Sequence, residues 1–288
     1  KKPKHIFLIV GESIPQWSLD ETHKALNICP GLWDFKSQPN TVQIPNFLPA
    51  GNVSRPSIVS LMSGVYDAGL ELNEREQFWN GAFPTSFAYQ MKQLGYQTIY
   101  WYGGNASYGN FNHFGKAQGF DRVESASIFC GPDAPKTWVG VYDHIFLENM
   151  EQQIKALDTP TFHFIYTTSN HSPYKIEDSL LDYDPATVMP HVGEDLRSNK
   201  TRNKELATYR YSDKALFSFV DSMKKAYPDS LFIITGDHSN LFGSLNNTSL
   251  IHRDYTLRDT FCTVALLQHP DLDSNVIATQ KGTHMSLM

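Results

Sequence analysis

Five short, near-continuous apolar runs punctuate the chain: His5 to Val10, Gln97 to Tyr102, Phe162 to Thr167, Leu231 to Thr235 and Cys262 to Leu267. Continuous rather than alternating apolar character marks strands covered on both faces, the condition of a parallel sheet flanked by helices. Helical patterns lie between them. Thr85 to Leu94 is followed by Gly95, a residue suited to the left-handed turn that closes a helix. Leu206 to Tyr227 sets Leu216, Phe219, Val220, Met223 and Tyr227 on one face. A third pattern begins at Ser54-Arg55-Pro56, carries Ile58, Leu61 and Met62 on one side and stops at Gly64. Pro56 belongs in a first turn, so Ser54 is expected at or just before the helix N-terminus. The alternation predicts an α/β fold: a three-layer α/β/α sandwich around a mostly parallel sheet, with residues 1 to 288 forming one domain.

The segment from about Ile176 to Asn203 is polar, Asp-rich and interrupted by Pro185 and Pro190, which predicts a surface excursion serving as a lid or part of a substrate groove. No run of eighteen apolar residues occurs, so nothing here is expected to span a membrane. Lys1 to Lys4 reads as a cut just upstream of a first strand, and Lys281 to Met288 ends without a closing signal, so neighbouring segments are expected to be missing.

A chain of 288 residues, 41% hydrophobic, can bury a full core. Its net charge of -6 and scattered basic residues give no footprint for a nucleic-acid duplex, which excludes that class of partner. Cys29, Cys130 and Cys262 lack metal or redox spacing; one disulfide, for example Cys29 with Cys130, and buried free thiols are both open.

Polar residues of one kind follow three of the apolar runs: Gly11-Glu12-Ser13, Ser169-Asn170-His171-Ser172 and Gly236-Asp237-His238-Ser239. In open α/β sheets the carboxyl ends of strands surround one crevice, so these groups are expected to converge. Glu12, Asp237 and His238 would offer oxygen and nitrogen ligands suited to Zn2+ or Mn2+. Ser54 at a helix N-terminus would lie where free N–H groups favour a phosphate, and a metal would activate its otherwise weak hydroxyl. Plainer roles compete: an N-cap for Ser54, a capping acid for Glu12, a loop pair for Asp237 and His238.

Taken in order, Gly11-Glu12-Ser13, the Ser54 helix with Leu61-Met62-Ser63-Gly64, Leu94-Gly95-Tyr96, Thr168-Ser169-Asn170-His171-Ser172-Pro173-Tyr174, Tyr211-Ser212-Asp213 and Gly236-Asp237-His238 form a set. That set resembles the alkaline phosphatase superfamily, and within it the sulfatase-like branch of lipoteichoic acid synthases and phosphoethanolamine transferases. The resemblance implies an alkaline phosphatase-like fold and one divalent ion, Mn2+, Zn2+ or Mg2+, held by Glu12, Ser54, Asp237 and His238. It implies that Ser54 forms a covalent intermediate, that His171 faces the transferred phosphate or its leaving group, and that His252, Asn170 and Tyr174 contribute to the substrate pocket.

By the same resemblance the activity is transfer of phosphoglycerol or phosphoethanolamine from a phospholipid donor to an envelope glycan or lipid acceptor. The catalytic domain would be monomeric, extracytoplasmic and anchored to a bacterial membrane in the full-length protein. Sulfatase or phosphodiesterase hydrolysis is the alternative, and an inactive lipid-binding or regulatory module the other. Two departures matter. Many relatives in the transferase branch use threonine as nucleophile where this chain has Ser54, and the spacing around it is closer to the sulfatase pattern. Sulfatases mature a Cys or Ser through a signal with Arg four positions on, where this chain has Ile58, and they tend to carry paired acids where Gly11-Glu12 stands. The region Tyr108 to His113 lacks the arginine with which lipoteichoic acid synthases hold glycerol phosphate. Six Asn-x-Ser/Thr sequons occur, Asn52 and Asn170 inside the expected site, which fits a bacterial envelope better than a glycosylating route.

Overall fold

The computed structural model describes residues 2–188, 200–239, 256–273, 275 and 281–287. Its strands are β1 (His5–Gly11), β2 (Thr41–Gln43), β3 (Gln97–Tyr102), β4 (Arg122–Ser125), β5 (Thr161–Tyr166), β6 (Leu231–Gly236) and β7 (Ala265–Gln268). They form one seven-stranded sheet in the order β2-β7-β6-β1-β5-β3-β4. The run from β6 to β4 is parallel, while β7 lies antiparallel to both β6 and β2.

The pleat explains the continuous apolar runs. Along β1, Phe7 and Ile9 enter one core, while Ile6, Leu8 and Val10 enter the other. The first core is closed by the helices Pro30–Ser37, Asp143–Lys155 and Lys200–Ala226. The second is closed by Ser54–Ser63, Phe87–Gln93 and Phe111–Ala117. Helices on both faces of a mostly parallel sheet make the expected three layers. Truncating a ring such as the fully buried Phe7 to Ala would cost about 3–5 kcal/mol, enough to threaten a domain of ordinary stability.

Register places the site. Val10 pairs with Tyr166 and Gly11 with Gly236, so β1, β5 and β6 end level with one another. The residues that follow each strand therefore meet at one sheet edge.

Some expectations shift. The Cys262 run becomes a strand only from Ala265, because Thr263 is taken by isolated bridges to Pro15 and Phe47. The long helix starts at Lys200, inside the stretch read as an excursion. Pro185 opens a helical turn, Pro185–Val188, where it needs no N–H partner. Asp182 in this stretch is bonded to Arg210 and Lys214 of the long helix, and Pro190 lies outside the described residues. All three cysteines are free, Cys29 and Cys262 buried, so the Cys29–Cys130 disulfide does not form. Among the described residues no helix is long and apolar enough to cross a membrane.

Candidate metal centre and catalytic cleft

Three strand ends and one helix start build the site. Gly11 ends β1 where a Cβ would stand 2.2 Å from Ile14, and Ser13 turns the chain with a φ of 54°. Between them Glu12 is directed into the crevice. Asp237 follows β6, and its Oδ1 accepts from the backbone N–H groups of Ser13 and His238, each at 2.8 Å. His238 Nδ1 lies 2.7 Å from the Ser239 carbonyl, which fixes the proton on Nδ1 and leaves the Nε2 lone pair facing the acids. Ligand atoms of Glu12, Asp237 and His238 all lie within 4.8 Å of one another, and all three residues are buried.

Ser54 is the first residue of its helix. The cap position belongs to Val53, extended and without a side-chain cap bond, so the N-cap role does not consume the Ser54 hydroxyl. Its Oγ stands 3.2 Å from Glu12 Oε2 and 3.3 Å from His238 Nε2. The four residues expected to gather do gather.

Charge in this pocket is unbalanced. Burial pushes the Glu12 carboxyl above its ordinary range, and the nearby Asp237 charge adds to the rise. Although burial opposes it, the Asp237 and Glu12 carboxylates raise His238. Tyr166, the last residue of β5, places its hydroxyl 2.6 Å from Glu12 Oε2 and 3.1 Å from Asp237 Oδ2. This donor, the Ser13 and Ser54 hydroxyls and the Ser13 and His238 backbone N–H groups are all neutral, so the two buried carboxylates face at most the one positive charge of His238. Two carboxylates, an imidazole with a free lone pair and an adjacent hydroxyl fit a divalent cation such as Zn2+ or Mn2+.

The other expected site residues divide. His171 lies on the wall of a cleft of about 400 Å³ that also contains Glu12, Ser54, Arg55, Tyr108 and Trp138. Asn170 is a tether: its side-chain amide donates to the carbonyls of Glu12 and Ser13 at 3.2 and 3.3 Å. Tyr174 does not line this cleft, and its hydroxyl donates to Glu205 at 2.9 Å instead. His252 lies outside the described residues.

Four contributors escaped the sequence. Tyr166 looked like one more core aromatic in an apolar run. Arg55 supplies the guanidinium absent from Tyr108 to His113, since its Nη2 reaches Tyr108 Oη at 3.3 Å; Glu71 and Glu74 flank it at 3.8 and 3.4 Å. Asp143 Oδ1 accepts from the N–H groups of Thr168 and Ser169, both at 3.1 Å, and so shapes the loop that carries His171. His284 is fully buried; its Nδ1 accepts from Ala50 N–H at 3.2 Å and its Nε2 donates to the Gly236 carbonyl at 2.9 Å. That imidazole ties the approach to Ser54 to the strand that delivers Asp237. A lone histidine near the sequence end carries no pattern that could have revealed it.

Comparison with known proteins agrees with this fold. The sulfatase family model matches residues 4–282. A lipoteichoic acid synthase-like protein of Bacillus subtilis is 27% identical over 152 residues, 51% of this chain and 23% of its own length. The matched half of the chain therefore spans about a quarter of that relative. Among solved structures, a lipoteichoic acid synthase from Listeria monocytogenes superposes with a TM-score of 0.80 at 17% identity, covering 99% of this chain and 70% of that one. The C-terminal periplasmic domain of a phosphoethanolamine transferase from Campylobacter jejuni gives 0.61 at 14% identity, covering 100% and 87%.

Proposed function

This chain belongs to the sulfatase family, within the alkaline phosphatase superfamily, and from that premise we propose that it is a metal-dependent phosphotransferase acting on cell-envelope substrates. The observation that carries the reading is the Ser54 hydroxyl, uncapped at a helix N-terminus and within 3.3 Å of both Glu12 and His238.

In this reading Glu12, Asp237 and His238, with Ser54, hold one divalent ion, as Zn2+ or Mn2+. When bound, such an ion lowers the cost of ionising a hydroxyl and of placing charge on phosphoryl oxygens. Ser54 Oγ attacks the phosphorus of a phospholipid head group, its proton leaving towards the neighbouring carboxylate. The bond from phosphorus to the lipid alcohol breaks, and His171 on the cleft wall supplies the proton that alcohol takes. A phospho-head group, phosphoglycerol or phosphoethanolamine, remains on Ser54 until an acceptor hydroxyl displaces it. Free N–H groups of the Ser54 helix stabilise the phosphoryl oxygens in both steps.

Hydrolysis by a matured formylglycine is disfavoured. Ile58, where the maturation signal places an arginine, is fully buried in the core. The periplasmic and envelope context of the structural relatives supports an extracytoplasmic, membrane-associated setting.

The test is intact-mass analysis after incubation with phosphatidylglycerol or phosphatidylethanolamine and Zn2+ or Mn2+. The expected result is a head-group phosphate adduct on Ser54, absent from Ser54→Ala, which keeps its far-UV spectrum. Turnover by Ser54→Ala at the parent rate would remove the proposal.

A further inference from the structure

Beside the metal centre the cleft carries a second recognition element that the chemistry above does not use. Trp138 is 67% exposed and Tyr108 is 62% exposed, yet both line the cleft that contains Ser54. An indole left in water forgoes the burial that normally makes tryptophan worthwhile, so an exposed one held rigidly at a reactive cleft calls for an explanation.

Trp138 is held rigidly. It sits in a tight turn closed by Thr137 N–H donating to the Gly140 carbonyl at 2.8 Å and by a bridge between Lys136 and Val141. Val141 N–H donates to the Gly103 carbonyl at 2.9 Å, which fastens the turn to the end of β3. Gly140 cannot be replaced without moving backbone, since a Cβ there would stand 2.4 Å from Thr168 Oγ1 and 2.5 Å from the Gly103 oxygen. The indole N–H donates to the Ser172 carbonyl at 3.3 Å, and the ring meets His171 edge-on, with centroids 5.0 Å apart at 88°. The polar edge of Trp138 is spent on the His171 loop. Much of the ring stays exposed.

We propose that Trp138 is the stacking platform for a sugar ring of the acceptor, and that the transferase therefore delivers its head group to a carbohydrate hydroxyl. The proposal rests on the phosphotransferase reading above. Three ligand classes suit an open indole face, and the surroundings separate them. An ammonium head group needs a closed aromatic cage, whereas Trp138 and Tyr108 are each more than half exposed. An acyl chain needs a continuous apolar groove, whereas here Arg55, Glu71, the Tyr108 hydroxyl and His171 interrupt the Val53, Pro56 and Val139 lining. A pyranose offers both faces of the match: axial C–H groups for the indole, and equatorial hydroxyls for donors and acceptors around it. In the second step the sugar oxygen forms a bond to phosphorus, the phosphorus bond to Ser54 Oγ breaks, and the proton of the sugar hydroxyl returns to the serine.

The experiment measures how the Ser54 adduct partitions between water and sugar, using a panel of neutral glucose-, galactose- and N-acetylglucosamine-based disaccharides. Because both products arise from one intermediate, the ratio is independent of how fast the adduct formed. Trp138→Ala is expected to lower the transfer-to-hydrolysis ratio roughly five- to tenfold, the size of one lost ring contact, and Trp138→Phe to restore most of it. An unchanged ratio in Trp138→Ala would overturn the inference while leaving the phosphotransferase reading in place. If the parent protein forms no adduct, that reading fails, and fluorescence still tests the platform. A saturable change on adding disaccharide, present in the parent and absent from Trp138→Phe, supports it; a response to ethanolamine but to no sugar overturns it.

Discussion

The hydroxyl of Tyr166 lies 2.6 Å from Glu12 Oε2, so the last residue of one central strand holds the first acid beyond its neighbour. This is the shortest of three contacts that orient the carboxylate, the others coming from the Ser13 and Ser54 hydroxyls. Tyr166→Phe keeps the ring in the core and removes only the donor. We expect Zn2+ to bind roughly tenfold more weakly by calorimetry, in line with other losses of groups that orient a metal ligand. An unaltered affinity would show that Glu12 is positioned by the serine hydroxyls alone, Ser13 Oγ donating to its Oε1 at 2.8 Å.

Metal-free protein should weaken as the solution becomes more alkaline. Folding raises the Glu12 pKa through burial and the Asp237 charge. The folded state therefore binds more protons than the unfolded one, and this contribution is complete below the ordinary glutamate range and lost as pH climbs through the raised value. A divalent ion should reverse the trend by replacing the missing positive charge, adding about 2.7 kcal/mol at a hundredfold excess over its dissociation constant. Melting curves at pH 6 and pH 8, with chelator and with Zn2+, check this. Equal melting temperatures under all four conditions would contradict it.

At the opposite end of the strands the sign is reversed. His5 Nδ1 lies 3.0 Å from His163 Nε2, and Trp101 Nε1 donates to His163 Nδ1 at 3.1 Å, a chain that requires neutral rings. Burial, with the Lys4 charge, lowers His5 to about 4, and burial holds His163 well below its usual value. Stability from this pair is present above about pH 6.5 and is lost as pH falls towards 4. Denaturant midpoints measured at pH 7 and pH 5 should show the loss, and His5→Phe should flatten it. Identical midpoints would mean that the rings charge without penalty.

His284→Ala should damage chemistry more than folding. It removes two hydrogen bonds and leaves a cavity, at a cost of about 2–4 kcal/mol. The appearance of the Ser54 adduct should slow by more than tenfold, because the segment before Ser54 is no longer fixed to the end of β6. His284→Gln, which retains a donor and an acceptor, should recover part of the rate. A folded His284→Ala protein that forms adduct at the parent rate would reduce this imidazole to a packing element.

What the sequence disclosed follows the same physics. The central strands were legible because burial on both faces demands unbroken apolar runs, and Glu12, Asp237 and His238 were legible because they interrupt such runs at their ends. β2 and β4 were not, being three and four residues long and mostly half-buried, too short for any periodicity to register. Ser54 could be placed from Pro56 and Gly64, but only the structure separates a hydroxyl free of the cap role from a cap. Arg55 and His284 were invisible because their meaning lies in partners brought from distant segments. The bond from the Tyr174 hydroxyl to Glu205 was invisible for the same reason.

The closures of this centre span almost the whole chain: Ser13 to Asp237 across 224 positions, and Ala50 to His284 across 234. A ribosome working at roughly 5–20 residues per second would need about ten to fifty seconds between making the two ends of the longer bond. During that interval Glu12 and Ser54 exist without their counterparts, and no half-made chain can grip an ion with the full set. If these residues hold a cation, its identity would therefore be decided where the polypeptide folds, by the metals present there.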